Sequence, residues 1–211
     1  MIYKHPLMHN NFSKSDFSDV KKLLNQTNPI LTQSKKVEEF EKKWSKWLGV
    51  RYSTFVSSGS SANYISISIL KVLNKNKYKN EIIVPTLTWI SDISSIILNG
   101  FKPVFVDINL ENLSMDIDQV LKKINRKTLG IFITHAQGFN GLNDKLLKAI
   151  NKHKLYLIED VCESHGATYK NKKLGTFGLM SNFSFYYAHH MTTIEGGMIS
   201  TNNKEIYELS K

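Results

Sequence analysis

A single cysteine, Cys162, occurs among 211 residues, so the chain cannot close an internal disulfide or build a multi-cysteine zinc or iron–sulfur site from its own side chains. No low-complexity linker or internal repeat interrupts it. No apolar run reaches the ~18–20 residues needed to cross a bilayer. The opening segment MIYKHPLMHNNFSK has no apolar stretch of the kind that directs secretion. A cytoplasmic protein with no membrane association is therefore expected. Acidic residues are the minority charge, 18 against 28 lysines and arginines, for a net +10. The basic excess is scattered in pairs, such as Lys21 with Lys22 and Lys122 with Lys123, and no nucleic-acid motif accompanies it. No nucleic-acid partner is expected.

What is present is a regular alternation of short apolar runs with helical patterns. Helical spacing runs from Asp16 to Leu24, with Ser13 or Ser15 as N-cap, and from Val37 to Leu48, closed by Gly49. Strand patterns follow at Arg51–Val56, Glu81–Val84, Pro103–Asp107, Leu129–Thr134 and Leu155–Glu159, with helical stretches ending near Leu73, Leu98, Ile124 and His153 between them. Two further strands are read at Ser181–Tyr187 and Gly197–Thr201. This order predicts an α/β fold, a mostly parallel sheet flanked by helices. Residues 1–30 read as an N-terminal arm and helix, and residues 31–211 as one large domain. In such sheets ligands bind beyond the carboxyl ends of the strands. The unusual polar residues sit there: Ser58–Ser61, Trp89, His135, Asp160 and Glu163.

Each of these admits two readings when taken alone. The turn Ser58-Gly59-Ser60 suits a phosphate at a helix N-terminus, or is an ordinary strand-to-helix turn. Asp160 ends an apolar strand, where a carboxylate can pair with a protonated pyridine nitrogen or cap a helix. Trp89 offers a flat face to an aromatic ligand or belongs to the core. His135 and His165 suit either a substrate contact or a hydrogen-bonded structural role. His189 and His190 lie in the polar segment AHHMTTIEGG, where imidazole is suited to moving protons near neutral pH. No zinc-site spacing accompanies them.

Taken in order, FVSSGSSAN, VPTLTWISD, GFKPVFVDI, LIEDVCESHGATYKNKKLGTFG and FSFYYAHHMTTIEGGMIST resemble the DegT-type family of sugar aminotransferases and dehydratases, on the fold-type I scaffold of pyridoxal 5′-phosphate (PLP) enzymes. The resemblance runs from Phe12 to Asn203. It implies a phosphate-binding turn at Ser58, Gly59 and Ser60, helped by Ser184. It implies ring stacking by Trp89, a pyridine-nitrogen partner in Asp160, and a contact to the ring hydroxyl from Glu163, where most members carry glutamine. It also implies a homodimer, and a smaller C-terminal domain that these 211 residues do not include.

At position 189 the sequence departs from the family's aminotransferases, which place the coenzyme-tethering lysine there. His189 cannot form a Schiff base, and Lys170, Lys172 and Lys173 fall in a polar surface turn unsuited to replace it. The same exchange marks a subgroup, the nucleotide-sugar 3-dehydratases of deoxysugar and polysaccharide biosynthesis. That resemblance implies untethered pyridoxamine 5′-phosphate (PMP), a nucleotide-linked 4-keto-6-deoxy sugar as substrate, and glutamate as the amino donor that regenerates PMP. It also implies that His189 first takes a proton from the coenzyme's methylene carbon and then protonates the departing carbon-3 hydroxyl. A second branch of this subgroup couples to an iron–sulfur cluster, which one cysteine cannot hold. The alternatives are a sugar aminotransferase and an incomplete, non-catalytic fragment. A fragment would expose an enlarged apolar patch.

Overall fold

The structure, a computed structural model, describes residues 10–211; the start of the segment read for a secretion signal, residues 1–9, lies outside the described residues. Two amphipathic helices come first, α1 (Lys14–Leu24) and α2 (Lys35–Leu48). Ser13 closes a capping box with Asp16 on α1, which decides between the two N-cap candidates. Gly49 ends α2 at φ 94°, a left-handed conformation in which a side chain would be strained.

The body then alternates β1 (Tyr52–Val56), α3 (Gly59–Leu73), β2 (Glu81–Pro85), α4 (Ile90–Leu98), β3 (Lys102–Val106), α5 (Ile117–Lys123), β4 (Thr128–Thr134), α6 (Asp144–His153) and β5 (Tyr156–Asp160). A two-residue hairpin, β6 (Thr168–Tyr169) with β7 (Lys172–Lys173), precedes β8 (Met180–Ser184), β9 (Gly197–Thr201) and a final helix α7 (Lys204–Leu209). The strand read to Tyr187 stops at Ser184, because the chain leaves the sheet for the histidine segment. The polar turn at Lys170–Lys173 is instead the hairpin, with Lys170 and Asn171 both at positive φ.

Seven strands form one sheet in the order β1-β9-β8-β5-β4-β2-β3. Pairs from β3 through β8 are parallel. The far side is not, because β9 runs antiparallel to both β8 and β1. Two antiparallel steps leave β1 parallel to β8, so β1, β2, β4, β5 and β8 all deliver their carboxyl ends to one edge.

Alternation along buried strands divides the core in two. Ile82, Val84, Phe132 and Ile158 face the layer that contains Ile67, Leu70 and Ile96 from α3 and α4. Ile83, Ile131, Ile133 and Leu157 face the layer of Trp44, Leu146, Phe183 and Phe185. β2, β4 and β8 are buried along their whole length, as strands covered on both faces must be. Phe17, Val20, Ile97 and Leu98 are among the large apolar side chains left exposed.

Candidate coenzyme site

The site is built along the carboxyl edge. After β1 the chain turns at Ser57–Ser58 into α3. Ser58 is the N-cap, its Oγ accepting from the Ser61 amide at 3.0 Å. The amides of Gly59 and Ser60 have no partner within the helix, as the first turn of any helix requires, and they carry its positive dipole end. The ordinary-turn and anion-cradle readings of this motif are thus compatible.

Gly59 is held against two other elements. A Cβ placed there would sit 2.7 Å from Ser184 Cβ, 3.2 Å from Ser184 Oγ and 3.0 Å from Cys162 Sγ. From the other side, a Cβ on Gly197 would lie 2.2 Å from the Ser58 carbonyl oxygen. Two glycines therefore let β8, β9 and the turn converge, and bring the Ser184 hydroxyl to the head of α3. That is a cradle of serine hydroxyls and free amides, suited to a phosphate.

Asp160 lies at the end of β5, 3% exposed. Its Oδ1 accepts from the Cys162 amide at 2.9 Å and its Oδ2 from Asn63 Nδ2 at 3.3 Å. No helix starts there, so it is not a helix cap. Trp89 precedes α4 and is 64% exposed, which removes the core reading and leaves its indole face open. Glu163 Oε2 accepts from the backbone amide of Gln137 at 3.1 Å and from its side chain at 3.2 Å.

His189 lies in the loop between β8 and β9, half-buried. Its amide donates to the Tyr186 carbonyl at 3.0 Å, and Asn11 Nδ2 donates to its carbonyl at 3.4 Å. Burial pushes the imidazole pKa down, while the negative charges of Glu163 and Asp160 push against that shift. The ring is therefore neutral near pH 7, able to accept a proton, and within the electrostatic reach of both carboxylates.

The other histidines separate cleanly. His135 is fully buried; its Nδ1 accepts from the Gly141 amide at 3.1 Å, which leaves Nε2 to donate to Glu159 Oε2 at 3.3 Å. Glu159 also accepts from the amides of Gly175 (2.8 Å), Phe177 (2.8 Å) and Gly178 (2.6 Å). His135 is thus structural. His165 packs edge-on to Trp44 and Phe183, and desolvation lowers its pKa to about 3. Of the lysines near the hairpin, Lys170 pairs with Asp144, and the Lys173 ammonium lies 5.1 Å from the Trp47 ring centre.

Residues not singled out by sequence join this edge from behind. Asn63 on α3 donates to Asp92 Oδ1 at 2.6 Å as well as to Asp160. Asn182 on β8 donates to Asn63 Oδ1 at 2.9 Å and accepts from Ser66 at 2.7 Å. A lone Asp92 inside the apolar helical run ISDISSIIL was the available signal. A cavity of about 890 Å³ adjoins the turn: its walls include Ser57, Ser60 and Ser61 with Glu41, Phe55, Tyr64 and Lys211, but none of Trp89, Asp160, Glu163 or His189.

A doubly covered sheet with an anion cradle, a buried carboxylate and an open indole along one edge defines the class: an α/β large domain shaped for a phosphorylated aromatic coenzyme. The chain belongs to the DegT/DnrJ/EryC1/StrS aminotransferase family, whose model matches residues 11–211. It is 34% identical over 210 residues to a GDP-4-keto-6-deoxy-D-mannose 3-dehydratase of Escherichia coli O55:H7, covering 99% of this chain and 54% of that protein. It is 35% identical over 179 residues to a GDP-perosamine synthase of Escherichia coli O157:H7, covering 85% of this chain and 48% of that one. The structure superposes on the Escherichia coli GDP-4-keto-6-deoxy-D-mannose 3-dehydratase with bound hydrated PLP at a TM-score of 0.92 and 32% identity, over 99% of this chain and 54% of that one. The chain spans about half the length of the curated relatives it matches.

Proposed function

We propose that this chain is the coenzyme-binding part of a nucleotide-sugar 3-dehydratase, removing the carbon-3 hydroxyl of a nucleotide-linked 4-keto-6-deoxyhexose. The observation that carries the reading is His189: a neutral, half-buried imidazole stands where the family's aminotransferases place a lysine, and Lys170 and Lys173 are engaged elsewhere.

When bound, PMP supplies an amine for the 4-keto group and a ring that can take up an electron pair. Ser58, Gly59, Ser60 and Ser184 hold its phosphate through hydroxyls and free amides. Trp89 would cover one ring face, Asp160 would pair with the ring nitrogen, and Glu163 would contact the ring hydroxyl. As neutral imidazole His189 would take a proton from the coenzyme's methylene carbon and, as imidazolium, deliver it to the hydroxyl departing from sugar carbon 3. One imidazole can serve in both directions because its two protonation states are close in energy near neutral pH. Glutamate would be the amino donor. Nucleotide sugars and glutamate are cytoplasmic metabolites, so the reading carries a cytoplasmic setting with it. The exposed apolar surface of α4, with Ile90, Ile97 and Leu98, supports a homodimer in which a second copy covers it.

The test is covalent trapping. After incubation with PLP and borohydride, the wild-type protein is expected to carry no coenzyme-sized mass increment on any lysine, whereas His189→Lys acquires one. A reducible adduct on a wild-type lysine would return the chain to the aminotransferase reading.

A further inference from the structure

Behind Asp160 lies a second carboxyl that the proposed chemistry does not use. Asp92, on α4, is completely buried. Its Oδ1 accepts from Asn63 at 2.6 Å, and its Oδ2 faces the hydroxyls of Thr134, at 2.9 Å, and Thr88. The same Asn63 amide also reaches Asp160 Oδ2 at 3.3 Å, so the two carboxyls flank one donor. No lysine or arginine is buried among the described residues.

The donor supply is limited. Asn63 Nδ2 has two hydrogens for three acceptors: Asp92, Asp160 and Ser91 Oγ at 3.0 Å. Its orientation is fixed by Asn182, whose amide donates to Asn63 Oδ1, so the amide cannot flip. Two adjacent carboxylates in a dry site with no cation repel strongly and share a proton. The partners differ: Asp160 accepts a backbone amide and ends the strand at the coenzyme edge, while Asp92 is walled in by two threonines and the amide bridge.

We propose that Asp92 is a positioning residue, a neutral carboxylic acid hydrogen-bonded to Asp160 that settles the pair's negative charge on the carboxyl facing the coenzyme ring. Asp92 touches neither coenzyme nor substrate; it acts through Asp160. Burial and the adjacent Asp160 charge both hold its proton on well above the usual carboxylate range. Burial first, and then the Asp160 carboxylate, push the pKa of the neighbouring Cys162 thiol up. His189 is the remaining titratable group facing Asp160. The arrangement places a fixed, single negative charge at the end of β5 without a buried cation. This inference rests on the coenzyme reading only for the identity of the ring that Asp160 faces.

Two measurements test it, one without coenzyme. Infrared spectra of the protein alone at neutral pH are expected to show the carbonyl stretch of a protonated carboxylic acid, lost in Asp92→Asn. Absence of that band in the wild type overturns the proposal whether or not PLP binds. PLP titration, followed by coenzyme absorbance, separates the role: Asp92→Asn, a neutral group that still donates, is expected to bind like the wild type, and Asp92→Ala about tenfold more weakly, the loss of one hydrogen bond to a charged group. Equal weakening by Asn and Ala would mean that Asp92 acts as an anion, and the proposal fails. If the wild type binds no PLP, the coenzyme reading fails instead, and the infrared band still decides the state of the pair.

Discussion

In the proposed reaction His189 must be neutral when a proton is to be taken and basic enough to hold it afterwards. Burial alone would weaken it as a base; Glu163 and Asp160 restore part of that basicity. Removing one negative charge should therefore lower the imidazole pKa further. In Glu163→Gln, an NMR titration of the His189 ring is expected to show protonation at a lower pH than in the wild type, with Gln137 still able to hydrogen-bond the new amide. An unchanged midpoint would show that Glu163 does not act on the ring. The same comparison explains why histidine position alone was a poor guide to role. His135 follows a strand end in the sequence just as suggestively, yet it is spent on Glu159, while His165, favoured as structural from sequence, is packed among aromatic rings. Burial and partner, neither visible in a single sequence, separate them. Asp92 was unread for a related reason: its meaning comes from Asn63 and Asp160, which are 29 residues before it on α3 and on β5.

The turn between β1 and α3 depends on three strands arriving together. A methyl group at Gly197 would meet the Ser58 carbonyl, which is backbone and cannot rotate away. At Gly59 it would meet the side chains of Ser184 and Cys162, which can give slightly. Gly197→Ala is therefore expected to be the more damaging of the two, costing about 1–3 kcal/mol of stability in chemical denaturation, as overpacking typically does. It should also weaken phosphate-dependent coenzyme binding. Gly59→Ala should lose binding with a smaller loss of stability; the reverse order would mean that the cradle is not held from the β9 side. The elements themselves were largely legible, because apolar alternation and cap residues act locally. β1 to β5, β9, α2, α3 and α6 fall within a residue or two of where the pattern puts them, whereas β8 ends three residues early. What escaped was set by distant contacts: the antiparallel placement of β9 between β1 and β8, the β6–β7 hairpin with its two left-handed residues, and the close approach at Gly197.

On the whole molecule, both faces of the sheet are covered, yet large apolar side chains remain in the open on α4 and α1. Patches of this kind on a folded chain mark surfaces that meet something else. If a second copy covers α4, Leu98→Asp should convert a dimer to a monomer in analytical ultracentrifugation without lowering the protein's thermal transition. A dimer that persists places the contact elsewhere. The charge of +10 does not oppose self-association here, since it is dispersed and α4 itself carries no lysine or arginine.

Glu159 has a consequence of a different kind. Three backbone amides of the segment between β7 and β8, together with His135, converge on this one buried carboxylate. That segment looks like a loop, but its length is dictated by the spacing of the groups that must reach the two oxygens. Adding or deleting a residue there would strand a charge in the interior rather than merely lengthen a connection. Variation in chain length among proteins sharing this architecture should collect instead at solvent-facing connections such as the one between α3 and β2.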